Sequence, residues 1–203
     1  MNSLLAVMRR QKIKILKGAH GLGPLLFMRE VFVNPAAAGA PCPSSRPLAK
    51  KMADAVPLGG EGLIVEVGAG TGVVTQALLD RGIAAHRLLI IEKSPLLFAH
   101  LRQRFPHINV LLGDAALLAS MIPDGQRIDA LVSGVPLRSL PFKESEAIVA
   151  HWRRLLLSGT TLVQFTYALR GPLRHLSGRF LEHSSEIAWL NFPPARVVSM
   201  RVV

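Results

Sequence analysis

The chain has 203 residues, enough for one complete α/β domain with a sizeable core and too few for two domains of ordinary size. Lys and Arg number 24 against 13 Asp and Glu, a net charge of +11, so the expected partners are polyanions: nucleic acid or an anionic membrane surface. The single cysteine, Cys42, excludes an internal disulfide and a cysteine-built zinc framework, and no metal site is expected.

Residues 1–34 stand apart as a basic amphipathic arm. Leu4, Leu5, Val7, Met8, Ile13, Ile15 and Leu16 interleave with Arg9, Arg10, Lys12, Lys14 and Lys17, a composition suited to lying in a membrane interface. The basic cluster follows the short apolar stretch instead of preceding it, so no secretory signal is read here, and no uncharged apolar run reaches the roughly 20 residues of a spanning helix. A cytoplasmic protein held peripherally at the membrane is the expectation. Gly18, Gly21, Gly23 and Pro24 divide the arm into two short helices, and Asn34-Pro35 ends the second. The main domain is expected over 35–203, opening with an Ala/Gly/Pro linker to Pro43. Ser44 or Ser45 then caps a helix through Lys50 to Ala55.

From Leu63 onward, short apolar strands alternate with helical stretches, the pattern of a parallel sheet covered on both faces. The strands are expected at Leu63–Val67, Leu88–Ile91, Val110–Leu112, Ile128–Val132 and Leu162–Phe165, with helices at Gly72–Asp80, Pro95–Phe105, Ala115–Met121 and Glu144–Leu157. Glu186–Leu190 and Arg196–Val202 flank Asn191-Phe192-Pro193-Pro194 and form a terminal antiparallel hairpin. The fold class is therefore α/β, a Rossmann-like sheet of seven strands.

The first strand runs into Gly68-Ala69-Gly70-Thr71-Gly72. Glycines suit a turn whose backbone angles a β-carbon would hinder and whose chain must approach a ligand closely. A dinucleotide pyrophosphate would fit the helix N-terminus there, but Glu66, just before the turn, repels phosphate and attracts an ammonium. The acid favours S-adenosyl-L-methionine over a dinucleotide. Glu92 ends the second strand 22 residues after Gly70, where a carboxylate can accept from both ribose hydroxyls or simply face water. Asp114 ends the third strand, where it can receive an adenine amino group or cap the helix at Ala115. Each acid alone has a plain structural explanation; three of them at successive strand ends beside a glycine turn make a joint pattern.

With these residues in view, the chain resembles class I methyltransferases. It is similar to ribosomal RNA adenine dimethylases in the glycine turn and the spacing of the acids. It resembles bacterial phospholipid N-methyltransferases more fully, over roughly residues 27–203: Pro43-Ser44-Ser45-Arg46-Pro47-Leu48-Ala49, Val132-Ser133-Gly134-Val135-Pro136-Leu137, Gln164-Phe165-Thr166-Tyr167 and Asn191-Phe192-Pro193-Pro194-Ala195. The resemblance implies that Ser44, Glu66, Gly68, Gly70, Thr71, Gly72, Glu92, Asp114 and Ser133 meet the cofactor. Adenine dimethylases carry Asn or Asp, an apolar residue, Pro and an aromatic after the fourth strand, to accept the target amine and stack on the flipped base. Here those positions are Gly134, Val135, Pro136 and Leu137, which disfavours a nucleic-acid target.

The expected reaction is methylation of a phospholipid amine, phosphatidylethanolamine toward phosphatidylcholine, with RNA adenine methylation or a non-catalytic cofactor-binding scaffold as alternatives. Tyr167, the only tyrosine, follows the fifth strand, where its hydroxyl could accept from the amine and its ring face the growing cation. Arg46, Arg170, Arg174 and His183 are the candidates for the lipid phosphate, and His175 lies among them.

Overall fold

A computed structural model describes residues 44–176 and 178–203; the basic arm and linker lie outside the described residues. Seven strands form one sheet in the order β3-β2-β1-β4-β5-β7-β6. They are β1 (Leu63–Val67), β2 (Leu88–Glu92), β3 (Asn109–Leu112), β4 (Ile128–Ser133), β5 (Thr161–Thr166), β6 (Phe180–Ala188) and β7 (Ala195–Val202). β1 to β5 pair in parallel. β7 is antiparallel to both β5 and β6. The chain lays β2 and β3 on one side of β1, then returns to place β4 on the other, so the sheet reverses its winding between β1 and β4. Ligands of open α/β sheets bind at such a reversal, at the carboxyl ends of the strands.

Successive strand residues point to opposite faces, which divides the core in two. Ile64, Leu88, Ile90, Val132 and Val163 face one cluster, with Leu48 and Met52 of α1 (Arg46–Asp54), Leu78 of α2 (Val73–Asp80) and Leu101 of α3 (Pro95–Arg104). Val65, Val67, Leu89, Leu131 and Leu162 face the other, against Ile148, Val149 and Trp152 of α4 (Phe142–Leu155). The helix starts follow local chemistry. The Ser45 hydroxyl accepts from the Leu48 N–H at 3.3 Å and the Ser94 hydroxyl from the Leu97 N–H at 3.4 Å, each with proline in the first turn.

Several expected boundaries move. Ser45, not Ser44, caps the first helix, which begins at Arg46 and ends at Asp54. The stretch Ala115–Ser120 is a 3-10 turn kinked at Leu117, not an α-helix. It is short, and Asp114 holds its start by accepting from the Ala116 N–H at 2.9 Å. The last helix starts at Phe142 and ends at Leu155, two residues before the expected Leu157.

The largest shift is at the sixth strand, which spans Phe180–Ala188 and excludes Trp189 and Leu190. This is an edge strand whose residues 181–186 are all exposed. A solvated edge carries no inside-outside alternation, and only its pairing with β7 reveals it.

Candidate cofactor and substrate site

The carboxyl ends of β1, β2 and β4 are laced together by backbone bonds. The Gly68 N–H donates to the Ile91 carbonyl, Gly134 to Val67 and Gly113 to Glu92, each at 2.9 Å. Two glycines are required by geometry. Gly70 sits at φ +59, and a β-carbon there would meet nothing within 4 Å, so its backbone borders open space. Gly134 passes so close to the turn that a β-carbon would collide with the Gly68 carbonyl oxygen. The turn is thus an open cradle at the point where the sheet reverses its winding, built for a ligand in contact with main chain.

The acids differ in what surrounds them. Glu66 is 1% exposed and takes the Thr75 hydroxyl at 2.6 Å. Burial, opposed by that hydrogen bond and aided by the nearby Glu92 charge, pushes its carboxyl up to about 7. It lies beneath the turn, where an ammonium above would favour its ionised form. Glu92 is also buried, and its carboxylate accepts the Gly70 and Ser94 N–H groups, each at 2.9 Å. Burial raises its pKa, against the pull of these backbone donors. Each oxygen keeps a further lone pair for a ligand hydroxyl. Asp114 is held by the Lys93 ammonium at 2.8 Å as well as by its cap bond. Partial desolvation pushes it up, but the Lys93 hydrogen bond, the Ala116 N–H and the Lys93 charge outweigh that and hold its carboxyl below the usual value.

A cleft of about 390 Å³ opens beside this cradle, between the β4 loop, the end of β5 and residues 173–176. Pro136, Leu137, Phe165, Tyr167 and Leu173 contribute its apolar wall. The Tyr167 ring stands edge-on to Phe165 at 5.6 Å. His175 lines the cleft, and its Nδ1 is 3.4 Å from the Ser145 hydroxyl. That hydroxyl also donates to the Phe142 carbonyl at 2.9 Å.

The structure therefore brings Gly68, Gly70, Gly72, Thr71, Glu66, Glu92 and Asp114 around the cradle. Ser133 is fully buried at the end of β4, where its hydroxyl accepts from the Val135 N–H at 3.2 Å. Ser44 is half-buried ahead of the α1 cap, and Arg46 is exposed in the first turn of α1. Arg170 is exposed past β5, and Arg174 opens the short 3-10 turn Arg174–Leu176. His183 is not brought to the cleft: it is exposed at the irregularity of the edge strand β6, whose neighbours Glu182 and Ser184 sit level with the middle of β5. Sequence reasoning passed over Arg138, Ser139 and the Ser145–His175 pair. No spacing signal marks a pair 30 residues apart.

The open glycine cradle and the buried Glu92 acceptor fit a nucleoside carrying two ribose hydroxyls, and Glu66 in place of a phosphate-friendly group fits a cationic methionine moiety. The fold is that of class I methyltransferases, and the cofactor it points to is S-adenosyl-L-methionine. Residues 64–159 match the family described as methyltransferase domain. An ornithine lipid N-methyltransferase of Singulisphaera acidiphila is 28% identical over 146 residues, covering 70% of this chain and 76% of that protein. A ribosomal RNA small subunit methyltransferase A of Chlorobium chlorochromatii is 30% identical over 112 residues, 53% of this chain but only 39% of that protein. In fold, the chain is similar to magnesium protoporphyrin IX methyltransferase of Synechocystis PCC 6803, crystallised with bound S-adenosylmethionine. That match has a TM-score of 0.58 at 15% identity and covers 87% of this chain and 96% of the other.

Proposed function

We propose that this methyltransferase acts on the amino head group of a phospholipid, phosphatidylethanolamine on the way to phosphatidylcholine, with an ornithine lipid as the nearest variant. The observation that carries the reading is the loop after β4. It offers no side-chain amide at Gly134, and Leu137, which lines the cleft while 4% exposed, has no aromatic face to stack on a base. The similarity to a lipid N-methyltransferase supports it. RNA adenine methylation is the second reading, favoured by the net charge of +11 and by the ribosomal RNA relatives. Transfer of radiolabelled methyl to phosphatidylethanolamine vesicles, ornithine-lipid vesicles and ribosomal RNA separates them. Label in the lipid is expected, and label in RNA alone would overturn the reading.

Glu92 would hold the ribose hydroxyls, Asp114 the adenine edge, and the Gly68–Gly72 main chain the methionine end. When bound, S-adenosyl-L-methionine would supply an electrophilic methyl group for transfer to the amine nitrogen, which gives up a proton. The chain's own residues orient the amine and receive its proton. Tyr167 positions the amine at the cleft rim. Among the described residues that line the cleft there is no acid, and the His175 ring is the lining side chain that could take the proton. The basic arm, residues 1–34, would hold the enzyme peripherally on an anionic cytoplasmic membrane face.

Two substitutions test these roles. Tyr167→Phe should lower lipid turnover roughly 10-fold, the worth of one hydrogen bond to a charged group, and leave cofactor affinity unchanged. Turnover equal to wild type would make Tyr167 a packing residue. His175→Asn should cost roughly 100-fold at neutral pH, within the range for a lost general base, and recover at alkaline pH as the free amine deprotonates by itself. The same fractional loss at every pH would remove His175 from the proton path.

A further inference from the structure

The loop joining β6 and β7 combines a firm base with an apolar exterior. Trp189 is 66% exposed, Leu190 82% and Phe192 87%. Between them Asn191 is 4% exposed: its Oδ1 accepts the Ser45 N–H at 3.1 Å and its Nδ2 donates to the Pro193 carbonyl at 2.7 Å. The tip is therefore staked inward by one amide while its large side chains are thrown outward. Strand register places it at the same end of the sheet as the cleft, since Arg196 at the start of β7 pairs both with Thr166, a cleft-lining residue at the end of β5, and with Ile187 in β6. Phe142, 67% exposed, adds a further apolar group on this edge, with its ring 5.5 Å from that of His175.

The loop and the strand that follows it carry charge of one sign. No acidic residue occurs from Ile187 to Val203, and the nearest acid, Glu186, is paired with Lys51 at 2.5 Å. Exposed Arg46 follows Ser45, which is bonded to the tip. Exposed Arg170 precedes Gly171, whose carbonyl takes the Arg196 guanidinium at 2.6 Å.

We propose that the segment Trp189–Pro194 is a wedge that inserts into the interface of an anionic lipid bilayer and seats the mouth of the cleft on it. The proposal rests on the lipid reading of the substrate. An amphiphile's head group stays at the bilayer surface, so the cleft must come to it, and the wedge stands at the cleft's end of the sheet. Tryptophan and phenylalanine beside arginine suit the boundary between head groups and acyl chains. Leu190, fully offered to solvent next to Trp189, gains from acyl chains and nothing from base stacking, which favours lipid over RNA as the occupant.

The test uses the protein's own fluorescence. Its two tryptophans are Trp152, fully buried, and Trp189, so a change of emission on binding reports the tip. With the full chain and vesicles of phosphatidylethanolamine and phosphatidylglycerol, the emission should shift to shorter wavelength and be quenched by lipids brominated in the acyl chain. The double variant Leu190→Ser with Phe192→Ser alters only exposed side chains. It should bind vesicles roughly 10-fold more weakly and lose turnover on vesicle lipid in proportion, with unchanged cofactor affinity and unchanged turnover on a short-chain monomeric amine lipid. Wild-type methylation of vesicle lipid with no shift and no quenching would overturn the wedge. So would a shift produced by RNA without lipid, or by self-association at raised protein concentration. Were the wild type to methylate no lipid, the substrate reading would fall, while the shift and quenching would still report the wedge independently.

Discussion

Glu92→Ala is expected to weaken S-adenosyl-L-methionine binding by roughly 100-fold or more, because it removes two hydrogen bonds to a charged acceptor, each worth roughly 1.5–3 kcal/mol. The carboxylate is buried at the end of β2 and already gathers the Gly70 and Ser94 N–H groups at 2.9 Å. Its removal therefore also frees the Gly70 turn, the proposed seat of the methionine end. Gly70→Val should act at the same place by another route. At φ +59 a β-branched residue is strained by roughly 1–2 kcal/mol, yet its β-carbon meets no protein atom within 4 Å, so the fold survives while the side chain fills the ligand's space. Calorimetric titration with S-adenosyl-L-methionine checks both. Native affinity in the two variants would reject the cradle as the cofactor site.

Trp152→Ala should destabilise the fold by roughly 3–5 kcal/mol, the range for deleting a buried aromatic ring. Trp152 is completely buried in the cluster between α4 and the sheet, and its indole N–H donates to the Ala115 carbonyl at 3.3 Å. The ring thus joins α4 to the 3-10 turn that begins at Asp114, so its loss also loosens the adenine end of the proposed cofactor site. Trp152→Phe keeps most of the apolar contact and should cost less. A urea midpoint that falls by the same amount in both variants would mean that the whole loss comes from the indole N–H and the extra ring volume, and that the apolar contact Phe retains contributes nothing.

The five parallel strands and three of the four helices expected between them were legible because buried parallel strands are written as short apolar runs between helical stretches, as in Leu88–Glu92, where every residue is buried. The glycine turn and its acids were legible because their chemistry is local: a strand end, a turn that needs left-handed backbone, and a carboxylate within hydrogen-bond reach. Ser94-Pro95 announced its helix in the same way. Where a residue's environment came from its immediate neighbours in sequence, reading the chain was sufficient.

Local signal ran out at the edges and across the cleft. The sixth strand was displaced because its polar residues acquire strand geometry only by pairing with β7. His175 and Ser145 meet across 30 residues through the packing of α4 against the segment after β5. Asn191 looks like an ordinary turn residue until its amide is found holding Ser45, 146 positions away. The sequence by itself determined the fold class, the cofactor and the glycine turn at the carboxyl end of β1, since those follow from periodicity and from contiguous motifs. Only the tertiary structure decided which distant side chains share the cleft and which apolar groups stay outside, because burial and long-range hydrogen bonds depend on how the sheet and its helices close around one another.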